Sequence, residues 1–90
     1  MTRVTLLTQP NCGLCDHAKD VLARVARDRP LVVEEIDLGS DRGRYLATEA
    51  GVVFAPGILL DGQPFGYGRL SERGLRKALT AGTRTRHSAT

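Results

Sequence analysis

Within its first 38 residues this chain carries an apolar run, an amphipathic stretch and a second apolar run, and that succession narrows the possible folds sharply. Val4-Thr5-Leu6-Leu7-Thr8 is β-branched and aliphatic and is stopped by Pro10, which predicts a buried strand. From Gly13 to about Asp28, Leu14, Ala18, Val21, Leu22 and Val25 recur at helical spacing, with Lys19, Asp20, Arg24 and Arg27 on the other side, and Pro30 closes the helix. Leu31 to Leu38 is again dominated by short apolar and β-branched residues and ends at Gly39-Ser40, a second strand. Strand, helix, strand in this order makes a parallel pair joined by a right-handed crossover.

The remainder closes that sheet. Ser40 suits the N-cap of a short helix from Asp41 to about Ala50, with Tyr45, Leu46 and Glu49 on neighbouring turns and Gly51 as a left-handed stop. After Gly51 the pattern becomes strand-like through Val52-Val53-Phe54-Ala55-Pro56 and Gly57-Ile58-Leu59-Leu60, then Gln63 to Tyr67. Asp61-Gly62 between these runs predicts a tight hairpin in which both turn residues take positive φ. Pro64 cannot donate a ladder hydrogen bond, which assigns the last strand to a sheet edge. Ser71 is placed to cap a final helix stapled by Leu70 and Leu75, continued by Ala78 and Leu79 and ending near Gly82. Residues 1–81 thus read as one α/β domain with a mixed sheet, and the polar stretch 82–90 as a disordered tail.

Hydrophobic residues make up 41% of the chain and charged ones 26%, the balance of a globular domain. The net charge of +3 falls to about +1 without Arg84 and Arg86 of the tail, and the arginines lie scattered among acids with only four aromatics, two Tyr and two Phe. That is not the basic stripe with stacking platforms that nucleic-acid binding needs. Val4 to Thr8 is too short for a signal-peptide core, and the run from Ala50 to Leu60 is too short for a membrane span. The expected setting is the cytoplasm, with no membrane or nucleic-acid partner and a monomeric chain.

Two cysteines are too few for a disulfide scaffold, and in a reducing compartment a pair three residues apart reads as catalytic or metal-binding. Spacing alone suits either. The position of Cys12-Gly13-Leu14-Cys15 favours redox chemistry, because Cys12 falls at the Ncap or N1 position of the helix, where unpaired N–H groups and the dipole stabilise a thiolate. Helical geometry sets residues i and i+3 about 5 Å apart at Cα, inside the range a disulfide spans. Cys12 is then the attacking thiol and Cys15, one turn inside, the resolving one. Structural zinc needs four ligands, and the chain offers two cysteines, His17 and His87, so a site would require a dimer or a cluster with an external thiol. A dimeric metal or iron–sulfur carrier and a redox-inert binding module therefore stand as alternatives. His17, about 140° and 200° around the helix from the two cysteines, reads as solvent-facing. Asp16, one turn from Cys12, opposes the thiolate slightly. Phe54, Phe65 and Tyr67 read as core aromatics before groove residues, and Arg69 as a solvated arginine.

The segment Thr8-Gln9-Pro10-Asn11-Cys12-Gly13-Leu14-Cys15 resembles the active-site segment of glutaredoxins, and the Cys-x-Leu-Cys-Asp form resembles a small bacterial glutaredoxin-like family of similar length. Ala50-Gly51-Val52-Val53-Phe54-Ala55-Pro56 is similar to the segment that ends in a cis proline facing the disulfide. The resemblance implies a thioredoxin-like fold, a four-stranded sheet in the order 2-1-3-4 with helices on both faces, and a dithiol oxidoreductase acting on protein or small-molecule disulfides. It implies substrate contacts at Gln9, Asn11, Gly13, Leu14, the Ala55 backbone, Pro56, Gly68 and Arg69. It implies no bound cofactor, with glutathione or another low-molecular-weight thiol as co-substrate and a reductase or thiol pool as partner. Three departures bear on this: Gln9 replaces a usual basic residue, Gly66-Tyr67-Gly68-Arg69-Leu70-Ser71 lacks the usual Gly-Gly-acid, and Asn11 stands where thioredoxins carry tryptophan.

Overall fold

A computed structural model describes the backbone of residues 1–89 and the side chains of residues 1–81. The elements run β1 (Thr2–Thr8), α1 (Gly13–Ala26), β2 (Leu31–Asp37), α2 (Asp41–Ala50), β3 (Gly57–Leu60), β4 (Gln63–Tyr67) and α3 (Glu72–Ala89). The strands form one sheet in the order β2-β1-β3-β4, with β1 and β2 parallel and the β1–β3 and β3–β4 pairs antiparallel. This is the thioredoxin-like α/β arrangement.

Period-two alternation along β1 divides the core between the faces of the sheet. Val4 and Leu6 point to one face, where Ala18, Val21, Leu22 and Val25 of α1 meet Leu75 and Leu79 of α3. Leu7 points to the other, where it packs with Ile36, Leu59 and Ala47 of α2. Local chemistry fixes the ends of these elements. The Ser40 hydroxyl accepts from Gly43 N–H at 3.0 Å, and Gly51 ends α2 in the left-handed region at φ 72°. The Ser71 hydroxyl accepts from Gly74 N–H at 3.0 Å, with Leu70 and Leu75 both buried. Asp61 and Gly62 make the hairpin turn at φ 50° and 81°. Pro64 lies on the edge strand β4, where Phe65 is the extra residue of a bulge opposite Ile58 and Leu59.

Two boundaries differ from expectation by more than two residues. Val52 to Ala55 is not part of β3, which begins only at Gly57; Val53 and Phe54 are exposed rather than packed, and Pro56 has no N–H to extend the ladder. The last helix passes Gly82, its predicted end, because no proline follows to interrupt the backbone. The expected tail at 82–90 falls outside the residues whose side chains are described.

Candidate active site

The register of the sheet gathers one set of strand ends. Thr8 pairs with Asp37, Leu7 lies opposite Gly57, and Gly57 lies opposite Tyr67. The C-terminal ends of β1, β2 and β4 and the N-terminal end of β3 therefore share one edge of the molecule. α1 starts five residues after β1, so both cysteines belong to that edge, as do Pro56 and Gly68, each one residue outside the paired segment.

Pro10 and Asn11 turn the chain into α1, with Asn11 in the left-handed region at φ 54°, a conformation asparagine tolerates better than most residues. Cys12 is the N-cap, with extended backbone at φ −117° and ψ 104°. Its Sγ accepts from the backbone N–H of Cys15 at 3.1 Å, and its carbonyl accepts from Asp16 N–H at 3.2 Å. The two cysteines form a disulfide across a Cα–Cα distance of 5.2 Å, the separation one helical turn imposes. Cys15 is buried at 2% exposure, whereas Cys12 is half-buried. The two sulfurs are thus unequally accessible.

The edge of the sheet that carries the disulfide presents two kinds of surface. A cleft of about 530 Å³ is lined by Thr8, Gln9, Pro10, Asn11, Cys12, Cys15, Asp16, Lys19, Glu35 and Asp37. Inside it Lys19 Nζ lies 3.1 Å from Glu35 Oε1, and the Thr8 hydroxyl donates to the same oxygen at 3.4 Å. The loop from Val52 to Pro56 ends in a cis Ala55–Pro56 peptide bond. Gly68 N–H donates to Pro56 O at 2.8 Å, tying this loop to the end of β4. Gly68 sits at φ 82°, and a Cβ there would lie 3.0 Å from the Phe54 ring, so both the backbone and the space call for glycine. Phe54 and Tyr67 meet edge to face with centroids 5.1 Å apart.

Of the residues expected to contact substrate, Gln9 and Asn11 line the cleft with the cysteines. Gly13 and Leu14 are exposed at the head of α1. Ala55, Pro56 and Gly68 are buried at the same edge of the sheet, and Arg69 is exposed beyond them. The core reading of the aromatics holds for Phe65, which packs against the α1–α3 core, and fails for Phe54 and Tyr67, which are 52% and 44% exposed. Phe54 is in a loop rather than a strand, and Tyr67 ends an edge strand. His17 is half-buried rather than solvent-facing, its Nδ1 enclosed without a hydrogen-bond partner among the described residues. It shares a helical stripe with Arg24, seven residues on, which pairs with Glu72 at the start of α3.

Lys19, Glu35 and Asp37 join the site without having been expected there. Two spacings point to them: Lys19 is four residues from Cys15, one turn along the same stripe, and Glu35 and Asp37 share a strand face. Among the described residues no group of three or more His, Cys, Asp or Glu is arranged to hold a metal ion, and no helix is long and apolar enough to cross a membrane.

A cysteine pair heading the first helix of this sheet defines a thioredoxin-like protein with a redox-capable site. The chain belongs to the family described as "Glutaredoxin-like domain (DUF836)", whose model matches residues 3–80. Similar solved structures include a mutant thioredoxin from Halobacterium salinarum NRC-1, with a TM-score of 0.68 and 24% identity, covering 89% of this chain and 73% of that one. Oxidised mitochondrial thioredoxin 3 from Saccharomyces cerevisiae matches with a TM-score of 0.66 and 24% identity, over 89% of this chain and 77% of that one. No curated protein matches the sequence.

Proposed function

We propose that the protein is a thiol–disulfide oxidoreductase that reduces disulfides through a two-cysteine cycle. One observation carries the reading: Cys12 Sγ, half-buried at the cap of α1, accepts the Cys15 N–H, while Cys15 is sealed beneath it. In the reduced protein the same N–H and the helix N-terminus favour a thiolate on Cys12. That thiolate attacks one sulfur of the substrate and forms a mixed disulfide as the first product thiol leaves. Cys15 then attacks Cys12 Sγ, closing the internal disulfide and releasing the second. Two electrons pass from the dithiol to the substrate, and the two product thiols take up two protons.

No bound cofactor enters this cycle. A low-molecular-weight thiol, of which glutathione is one, or a reductase restores the dithiol, in a reducing compartment such as the cytoplasm. Substrates are protein or small-molecule disulfides, with Gln9, Asn11, Gly13, Leu14, the Ala55–Pro56 loop, Gly68 and Arg69 as the surrounding contact surface. The test is mutational. Cys12→Ser abolishes disulfide reduction, and Cys15→Ser accumulates a mixed disulfide visible by mass spectrometry. Full activity in Cys12→Ser would rule the reading out.

A further inference from the structure

Resting on the redox reading above, we infer that the substrate class of this site is disulfides carrying a cationic group, an ammonium or guanidinium, within a few bonds of the sulfur. The cleft that opens beside Cys12 and Cys15 is walled by the carboxylates of Asp16, Glu35 and Asp37 and by one ammonium, Lys19. Lys19 is already engaged by Glu35 at 3.1 Å, so the pair cancels. Asp37 uses Oδ1 to accept from Gly39 N–H at 2.7 Å, and neither Asp37 nor Asp16 has an ion-pair partner among the described residues. The N-terminus of α1 contributes roughly half a positive charge. Two unmatched carboxylates outweigh it.

The local sign is therefore negative, although the whole chain carries +3. At physiological salt the screening length is about 8 Å, so a disulfide seated on Cys12 senses most strongly the charges lining the cleft, among which there is no arginine. The other surface at this edge, with Phe54, Tyr67 and the buried Ala55 and Pro56, offers apolar contact, and its charge is that of Arg69, exposed beyond Gly68 and outside the cleft lining. Cys12 and Cys15 line the cleft and Arg69 does not, so the sign next to the reacting sulfurs is that of the cleft. A substrate presenting carboxylates there, as glutathione disulfide does, meets Asp16 and Asp37; one presenting an ammonium is drawn in.

The test follows oxidation of the pre-reduced full-length protein, with remaining thiols alkylated at intervals, by three small disulfides: cystamine (cationic), bis(2-hydroxyethyl) disulfide (neutral) and dithiodiglycolate (anionic). Each rate is divided by that of the same disulfide with free dithiothreitol, which removes differences in intrinsic reactivity. The order cystamine, neutral, dithiodiglycolate is expected, with steps of roughly three- to tenfold, the effect of a unit charge at about 5 Å in a solvent-open site. The cationic-to-neutral ratio falls toward one in 0.5 M salt and falls by a similar factor in Asp37→Asn and again in Asp16→Asn/Asp37→Asn. Paired cyclic peptide disulfides with Lys or Glu beside the cysteine separate the sources. A preference confined to the small disulfides assigns the cleft to small molecules, and one shared by the peptides assigns it to basic protein segments. Equal normalised rates across all charges would overturn the inference and leave the redox reading intact. No oxidation by any disulfide would instead remove the redox reading itself.

Discussion

Cys12 has two structural duties. Its sulfur caps α1 by accepting the Cys15 N–H at 3.1 Å, and it is half of the disulfide. The substitutions that separate these duties follow from side-chain chemistry. Serine is a strong N-cap whose oxygen can take the same N–H, whereas alanine leaves that donor without a side-chain partner. Under reducing conditions, where neither variant nor the parent protein has the disulfide, Cys12→Ser should stay within about 0.5 kcal/mol of the parent and Cys12→Ala should lose about 1 kcal/mol. Urea denaturation in excess dithiothreitol measures both. Equal losses would mean that the cap contributes little, and that the sulfur is positioned by the Pro10-Asn11 turn alone.

At the scale of elements, two helical glycines that look alike in the sequence have opposite roles. A Cβ on Gly43 would fall on the carbonyl oxygen of Asp37 and lie 2.9 Å from its carbonyl carbon, whereas one on Gly13 would have nothing within 4 Å. Gly43 is what lets α2 approach the end of β2, the strand end that carries Asp37 into the cleft. Gly43→Ala must push the helix off the strand and should cost about 1–3 kcal/mol, an overpacking penalty. Gly13→Ala should stabilise by about 0.4–1 kcal/mol, because the unfolded chain loses freedom and the folded one loses no space. Denaturation midpoints that move in opposite directions would bear this out; two shifts of the same sign would contradict it. The contrast also marks what a linear reading can reach. Ser40, Gly51 and the Asp61-Gly62 turn are legible because each acts on its own neighbours, and the cysteine pair is legible because one helical turn sets its separation. Gly43, Lys19, Glu35 and Asp37 gain their roles from pairings such as Thr8 with Asp37, between residues far apart in the chain. Phe54 misleads for the opposite reason: its apolar neighbours extend a strand pattern past the point where Pro56 ends the ladder.

For the molecule as a whole, the core on the α1–α3 face is bordered by an ionic cluster between those two helices. Arg24 Nε lies 2.9 Å from Glu72 Oε1, and Arg76 reaches Asp28 Oδ2 at 2.7 Å and Glu72 Oε2 at 3.0 Å. The hydrogen bond from Arg76 holds the Asp28 carboxyl below its usual range, and hydrogen bonds from Arg24 and then Arg76 do the same for Glu72. Arg76 is pushed upward in turn, chiefly by its hydrogen bond to Asp28, so it stays charged throughout the acid range. In the unfolded chain the two carboxyls titrate near their ordinary values, about 3.9 and 4.3. Because their folded values are lower, the stability they contribute is complete above the unfolded values and is lost as pH falls through the folded ones. Acid should therefore weaken the docking of α3 on α1 more than the α2 face of the sheet, where Arg42 and Glu34 join α2 to β2 by a more exposed ion pair at 3.0 Å. Arg76→Met keeps the apolar stem and removes the charge, so its urea midpoint should fall less between pH 6 and pH 3 than that of the parent. In 0.5 M salt the two should converge, since these groups are solvent-exposed and screened. Parallel declines in parent and variant would show that other carboxylates govern acid unfolding. A smaller decline in the variant, with amide exchange in α3 accelerating before that in α2 as the parent is acidified, would locate the pH dependence at the α1–α3 seam. The redox edge of the sheet, held by strand pairing and the Ser40 and Cys12 caps, would then keep its geometry to lower pH than the opposite end of α1.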